Sequence, residues 1–139
     1  MEIRLINEND IDRKIIELYN QLSKTTEINR EDFKNFVKSL NEYHNIIVIL
    51  ENNNIIGCAT YLIENKLIRN VSKVMHIEDV VIDCNSRGKK LGKLLIDNLK
   101  NKAKEMGCYK VILDCSEENS IFYEKCGFNK HGNQMSVYF

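Results

Sequence analysis

Apolar residues change their spacing twice along this chain, and the changes divide it into three stretches. In the first, Ile3 to Ile6 reads as a short strand. Asn9 and Asp10 then offer caps for a helix with Ile11, Ile15, Leu18, Tyr19 and Leu22 on one stripe. Ser23 to Asn29 is polar and reads as a loop. A second helix is expected from about Arg30, with Phe33, Phe36, Val37 and Leu40 on one face.

In the middle stretch the spacing shortens. Ile46 to Leu50 is an unbroken apolar run, the mark of a buried strand. Asn52, Asn53 and Asn54 tolerate turn conformations, and Ile55 to Ile63 returns as the hairpin partner. Glu64 to Lys73 is a polar, basic connection, and Val74 to Ile82 is a further strand.

The last stretch alternates strand and helix. A loop from Asp83 to Lys90 leads into a helix with Leu91, Leu94, Leu95, Leu99 and Ala103 at helical spacing, and Gly107 ends it. Tyr109 to Cys115 is a strand. A short helix starts at Glu118 or Asn119 and runs through Lys125 to Gly127, and Gln134 to Phe139 is expected as a final strand. A β-loop-α-β unit followed by helix and strand implies the α/β class, a mixed sheet with helices on it. No linker or repeat divides residues 1–139, so a single domain is expected.

Composition narrows the partners. The chain has 20 basic and 20 acidic side chains, so its formal charge is zero and it has no general pull toward nucleic acid or anionic membrane. A content of 43% hydrophobic and 29% charged residues reads as a soluble globular protein. No apolar run approaches the roughly 20 residues of a membrane span, and Met1 to Arg4 has no signal-peptide character. Five cysteines without a C-x-x-C pair lack the spacing of a zinc site. They read as buried thiols of a cytoplasmic protein, and no metal is expected.

With a neutral total, anion recognition must be local. Arg87-Gly88-Lys89-Lys90-Leu91-Gly92 stands between a strand and a helix. A helix N-terminus offers unpaired backbone N–H groups and partial positive charge, and glycine lets a phosphate approach the backbone. The segment therefore reads as a pyrophosphate cradle. It has neither the G-x-x-x-x-G-K-[ST] of a P-loop nor the G-x-G-x-x-G of a dinucleotide fold. A solvated basic loop before an amphipathic helix fits the loop by itself equally well.

These residues resemble the pyrophosphate loop of the GCN5-related N-acetyltransferases (GNAT), [QR]-x-x-G-x-[GA]. Arg87, Leu91 and Gly92 match its first, fifth and sixth positions, while Lys90 replaces the fourth-position glycine. Asn119 to Phe128 is similar to that family's second element, N-x-x-x-x-Y-x-x-x-G-F. Within the family, His76 to Val81, Leu91 to Leu95 and Gly107 to Cys115 resemble the enzymes that acetylate glucosamine 6-phosphate. The resemblance runs from about Lys66 to Val137, with weaker agreement through the first two helices. It implies a central, mostly antiparallel sheet flanked by helices. It also implies acetyl transfer from acetyl-CoA to the sugar amine, in a homodimer whose active sites take residues from both subunits.

What the resemblance implies for single residues can be set beside their chemistry. An attacking amine must be neutral and oriented, the anionic intermediate needs hydrogen-bond donors, and the departing thiolate needs a proton. Tyr123 is the expected donor to the thiolate. The backbone of Val80, Val81 and Ile82 is expected to hold the pantetheine arm, and Arg87, Gly88, Lys89, Lys90, Leu91 and Gly92 the pyrophosphate. Asn119 is expected to cap its helix, to contact CoA, or both. Glu78 and Asp114 are expected near each other, binding sugar and amine, with Asp79 beside them. Lys66, Arg69 and Lys110 are the cations for the sugar phosphate, with Leu67, Ile68 and Tyr109 nearby. Ser23 takes the place of a substrate-binding hydroxyl, and Tyr138 stands where the family tends to carry arginine.

Other readings remain open on the sequence. The same fold and donor serve other amines, such as peptides or polyamines. A CoA-binding protein without catalysis would keep the cradle alone, and Arg87, Lys89 and Lys90 would also serve a nucleic-acid binder. Lys66, Arg69 and Lys110 favour an anionic acceptor over a polyamine.

Overall fold

The Ile46 to Leu50 run is apolar on both sides because it lies inside a sheet covered on both faces. A computed structural model describes residues 1–25 and 27–139; Thr26, inside the expected loop Ser23 to Asn29, lies outside the described residues. Strand β2 (His44–Glu51) turns through Asn52 and Asn53, both at positive φ, into β3 (Asn54–Asn65). Asparagine is among the few residues that accept this left-handed backbone. The remaining strands are β1 (Glu2–Leu5), β4 (Lys73–Ile82) and β5 (Cys108–Leu113). The sheet order is β1-β2-β3-β4-β5, antiparallel except for the parallel β4–β5 pair.

A parallel pair needs a crossover, and helix α4 (Leu91–Glu105) supplies it. Its buried residues Leu91, Leu95, Ile96, Leu99 and Ala103 pack on Ile47, Ile49, Tyr61, Met75 and Ile77 on one sheet face. The other face carries Ile46, Val48, Cys58 and Val81 under Ile15, Leu18 and Phe33. These last three come from α1 (Ile15–Asn20) and α2 (Arg30–Ser39). The fold is thus the mixed α/β sheet with flanking helices that the periodicity implies.

Three local expectations are corrected. The stripe from Ile11 to Leu22 is not one helix. Asn7, not Asn9, caps a 3-10 turn over Glu8–Asp12, and the chain breaks at Lys14, where φ is 63°, before α1 begins. The reason is Asp10. It is fully buried and accepts from the Arg4 guanidinium at 2.7 and 2.9 Å and from the Asn7 N–H at 2.8 Å. A carboxylate so committed pins this turn to β1 and is not free to cap a helix in solvent.

The expected strand Gln134–Phe139 does not form. Residues 128–139 have no regular structure, and Met135 and Tyr138 are 92% and 93% exposed. The alternation of Met135, Val137 and Phe139 encodes a strand, but a strand needs a neighbour to pair with, and among the described residues none is engaged. Thirdly, only Cys58 and Cys126 are buried thiols; Cys84 and Cys115 are exposed and Cys108 is intermediate.

Candidate active site

Strands β4 and β5 pair from Lys73–Cys108 to Ile77–Leu113 and then part. Glu78 and Asp114 are the next residues on each strand, so they stand at the mouth of the split. The parting has a local cause. Across β3, Thr60 pairs with Glu78 while Cys58 pairs with Val81, so β4 carries one extra residue there. This is a β-bulge, and Asp79 within it sits at φ 48°. Burial pushes the Glu78 carboxyl above its usual range; the charges of Asp114 and Asp79 add to this and His76 opposes it. The three acids thus lie within electrostatic reach of one another. Neither Glu78 nor Asp114 has an ion-pair partner among the described residues.

Past the bulge, Val80 to Ile82 lead into the loop before α4. Val81 is buried, whereas Val80 and Ile82 are partly buried. Asp83 accepts from the Asn85 N–H and caps a 3-10 turn at Cys84–Ser86. Arg87, Gly88, Lys89 and Lys90 follow, all exposed. Gly88 has φ 84°, and a Cβ placed on it meets open space. Lys90, at the N-cap of α4, is left-handed at φ 60° and its side chain caps nothing. The first-turn N–H groups of a 15-residue helix therefore face the basic loop without a side-chain acceptor. Leu91 turns inward to the core, and Gly92 lies under α5 (Glu117–Lys125), where a Cβ would approach Phe122 Cζ to 3.0 Å.

Helix α5 brings in Tyr123. Its ring meets Phe122 and Phe128 edge-to-face at 4.9 and 6.1 Å between centroids. Burial pushes its phenol up from the ordinary tyrosine value, so it keeps its proton through neutral pH. The helix starts at Glu117, earlier than Glu118 or Asn119, because Ser116 is its N-cap. Asn119 is therefore not the cap; its own N–H donates to the Ser116 hydroxyl, and its side chain is exposed.

The remaining predicted residues fall elsewhere. Arg69 lies over the Tyr109 ring at 5.5 Å, and Lys110 Nζ is 5.6 Å from the same ring. Lys66 Nζ is 3.0 Å from Glu64. All of these surround the far end of the β3–β4 hairpin, where the one-turn segment α3 (Ile68–Val71) holds Arg69 and Asn70 in left-handed conformations. Leu67 and Ile68 on that turn are exposed. Thr60 pairs with Glu78 and Asn65 with Lys73. Five residues at about 3.3 Å each put this basic group roughly 16 Å from the acidic mouth. Tyr138, in the extended tail, joins neither group.

Ser23 is exposed just after α1, and Gln21 ties that segment to the loop after β4. The Gln21 amide donates to Asp83 at 2.8 Å and accepts from the Cys84 N–H at 2.9 Å. Sequence reasoning missed Gln21, and it missed Glu64, which His76 contacts at 2.9 Å. The partners are distant in sequence and no motif links them.

An acidic strand split beside an open helix N-terminus and a half-buried phenol is an arrangement that can hold a phosphorylated thioester next to an amine. Residues 13–128 match the Acetyltransferase (GNAT) family. The chain belongs to that family. A glucosamine 6-phosphate N-acetyltransferase of Arabidopsis thaliana is 44% identical over 99% of this chain and 96% of the relative. One from Dictyostelium discoideum is 42% identical, covering 99% and 90%. The crystal structure of glucosamine-6-phosphate N-acetyltransferase from Arabidopsis thaliana superposes with a TM-score of 0.94, covering 99% of this chain and 97% of that one. An acetyltransferase of Trypanosoma brucei, 35% identical, gives 0.93 over 99% of both chains. As a GNAT acetyltransferase, the chain has its acidic split, cradle and Tyr123 inside the matched region.

Proposed function

We propose that this GNAT enzyme transfers the acetyl group of acetyl-CoA to the amine of glucosamine 6-phosphate, giving N-acetylglucosamine 6-phosphate and CoA for UDP-N-acetylglucosamine synthesis. The observation that carries the reading is the β4–β5 split, with Glu78 and Asp114 at its mouth and the open α4 N-terminus beyond it. The two relatives named above carry the same activity in their names.

The residues fit the donor. The first-turn N–H groups of α4, with Gly88 giving close approach and Arg87, Lys89 and Lys90 adding charge, suit a pyrophosphate. Asn119, exposed on the first turn of α5, is in our reading a further CoA contact. The β4 backbone from Val80 to Ile82, unpaired on the β5 side beyond Ile77, offers N–H and C=O groups to an extended amide chain. Acetyl-CoA, when bound there, supplies an activated acyl group on a thiol leaving group.

The acceptor chemistry follows from the acids. Glu78 and Asp114, with Asp79 near them, attract an ammonium and bind sugar hydroxyls. The raised Glu78 carboxyl is placed to take the amine proton, and the Asp114 backbone carbonyl orients the neutral amine. A β4 N–H near the bulge stabilises the oxyanion. Tyr123, held protonated by burial, donates to the departing sulfur. As the N–C bond forms and the C–S bond breaks, the nitrogen gives up its second proton, which restores the Tyr123 phenol, and Glu78 returns its own to solvent; the products are an amide and a free thiol.

We further propose that the enzyme is a homodimer with shared active sites. A sugar phosphate is far shorter than the roughly 16 Å between Glu78 and the Lys66–Arg69 turn. Within one chain the same molecule cannot reach both. In the dimer, Lys66, Arg69, Tyr109 and Lys110, with Leu67 and Ile68 beside them, meet the phosphate of the substrate held by the other subunit. The exposed apolar Leu67, Ile68 and Val71, and the unpaired tail with Met135, Val137 and Tyr138, support this arrangement. Ser23 completes the acceptor side, and Tyr138 reaches substrate through the paired tail. A cytoplasmic location belongs to the reading, supported by five cysteines that are all free.

The test is product identity. Incubation with acetyl-CoA and glucosamine 6-phosphate should give a sugar acetylated on nitrogen, seen as an N-acetyl methyl signal by NMR. Acetylation of polyamines or peptides with none of the sugar would overturn the reading.

A further inference from the structure

His76 is the potential cation nearest to Glu78 along its own strand. It is two residues back on β4 and so shares the sheet face of Glu78. Its Nε2 is 2.9 Å from Glu64 Oε1, and the other oxygen of Glu64 is 3.0 Å from Lys66 Nζ. The imidazole is therefore held by β3 in a fixed place on the face that carries Glu78. The pair is half-exposed and reachable by solvent protons. Nothing in the acetyl-transfer chemistry above uses it.

We propose that His76, oriented by Glu64, is a positioning residue that sets the ionisation of Glu78 and with it the pH at which the enzyme captures the amine of its acceptor. The inference rests on the acetyltransferase reading, in which Glu78 meets the acceptor.

With a proton on the ring, a positive charge stands near a carboxylate whose own burial and acidic neighbours hold it toward the neutral form. The cation favours the carboxylate, so Glu78 remains a base to lower pH. Other charged groups near the imidazole are few. Glu64 and, through it, Lys66 face it from β3, with Leu62 between it and His44 on β2. Register places Lys110 and Asp114 on either side of Ile112, the residue opposite His76 on β5. Lys110 adds to the positive field and Asp114 opposes it, and neither forms an ion pair with the ring among the described residues.

The sign can be worked out. The Glu78 carboxyl is raised by burial, Asp114 and Asp79 and lowered by His76. Removing the imidazole leaves only the raising influences, so Glu78 should titrate higher.

The experiment follows the Glu78 side-chain carboxyl by 13C NMR in glutamate-labelled full-length protein, assigned with Glu78→Gln, alongside the pH profile of kcat/KM for glucosamine 6-phosphate. In His76→Gln, both the Glu78 titration and the acid limb should move to higher pH. The substrate amine titrates identically in both enzymes and drops out of the difference. His76→Lys, which keeps a cation at all pH values, should leave the Glu78 titration at or below that of the wild type. A merely structural histidine would change neither curve's midpoint. An unchanged midpoint in His76→Gln, or an upward shift in His76→Lys equal to that in His76→Gln, would overturn the proposal. Failure of the acetyltransferase reading would look different: the wild type would then show no acetylation of the sugar, while the Glu78 titration would still shift in His76→Gln.

Discussion

Ile77 and Leu113 form the last paired step between the parallel strands β4 and β5, and Glu78 and Asp114 stand immediately beyond them. Everything proposed for this enzyme depends on that parting. It leaves the β4 backbone beyond Ile77 unpaired on the β5 side, and among the described residues neither carboxyl group at the opening has an ion-pair partner.

We propose Tyr123 as the donor to the leaving sulfur. Tyr123→Phe keeps the ring and its contacts with Phe122 and Phe128 and removes only the hydroxyl. Steady-state kinetics should show kcat reduced about 100-fold, with the KM for acetyl-CoA within about twofold. Unchanged turnover would remove Tyr123 from the chemistry.

Reversing charge at the hairpin tip should separate the two substrates. The double variant Arg69→Glu, Lys110→Glu should raise the KM for glucosamine 6-phosphate by more than about tenfold, since the loss of even one charge-assisted phosphate contact costs about that much. The KM for acetyl-CoA should hold within about twofold. Equal loss of both would contradict the assignment of two separate anion sites.

Asp10 should matter for stability and not for catalysis. Burial pushes its carboxyl up, but hydrogen bonds from Arg4 and the Asn7 N–H, with the charges of Arg4 and Arg13, outweigh that and hold it below the usual range. A carboxyl lowered by folding contributes stability above its unfolded value, near 4, and that contribution is lost as pH falls through the folded value. Asp10→Ala leaves Arg4 without its buried partner and should cost about 3 kcal/mol, or about 10 °C in melting temperature. The difference from wild type should shrink on acidification below pH 4.

The tail predicts an oligomer. Light scattering should give the wild type at twice the 16.3 kDa chain mass. Met135→Asp with Val137→Asp, which places charge on the apolar side of the unpaired segment, should run at the single-chain mass with little activity. A wild-type protein at the single-chain mass would contradict the shared-site reading.

Much of this was legible in the sequence because it is periodic or local. Leu91, Leu95, Leu99 and Ala103 recur at helical spacing, and Ile46 to Leu50 are continuous; both came out as read. The split acids, the cradle and Tyr123 lie in contiguous segments with recognisable patterns. What was hidden depends on contacts between distant residues. Asp10 reads as a cap until Arg4, on a neighbouring strand, claims its carboxylate. Gln21 meets Asp83 at a separation of 62 residues, and His76 meets Glu64 at 12. The alternation in Met135, Val137 and Phe139 specifies a strand and says nothing about which chain it pairs with. The Lys66 to Arg69 turn is basic in sequence, but only the strand register shows that it lies far from Glu78.

The central claim is that a phosphorylated amino sugar is the acceptor. Thiol release from acetyl-CoA, followed with glucosamine 6-phosphate, with glucosamine and with a polyamine at matched concentrations, tests it directly. Rapid release with the phosphorylated sugar, and at least about 100-fold lower kcat/KM with the other two, is the predicted result. Equal or faster release with glucosamine or the polyamine would contradict it.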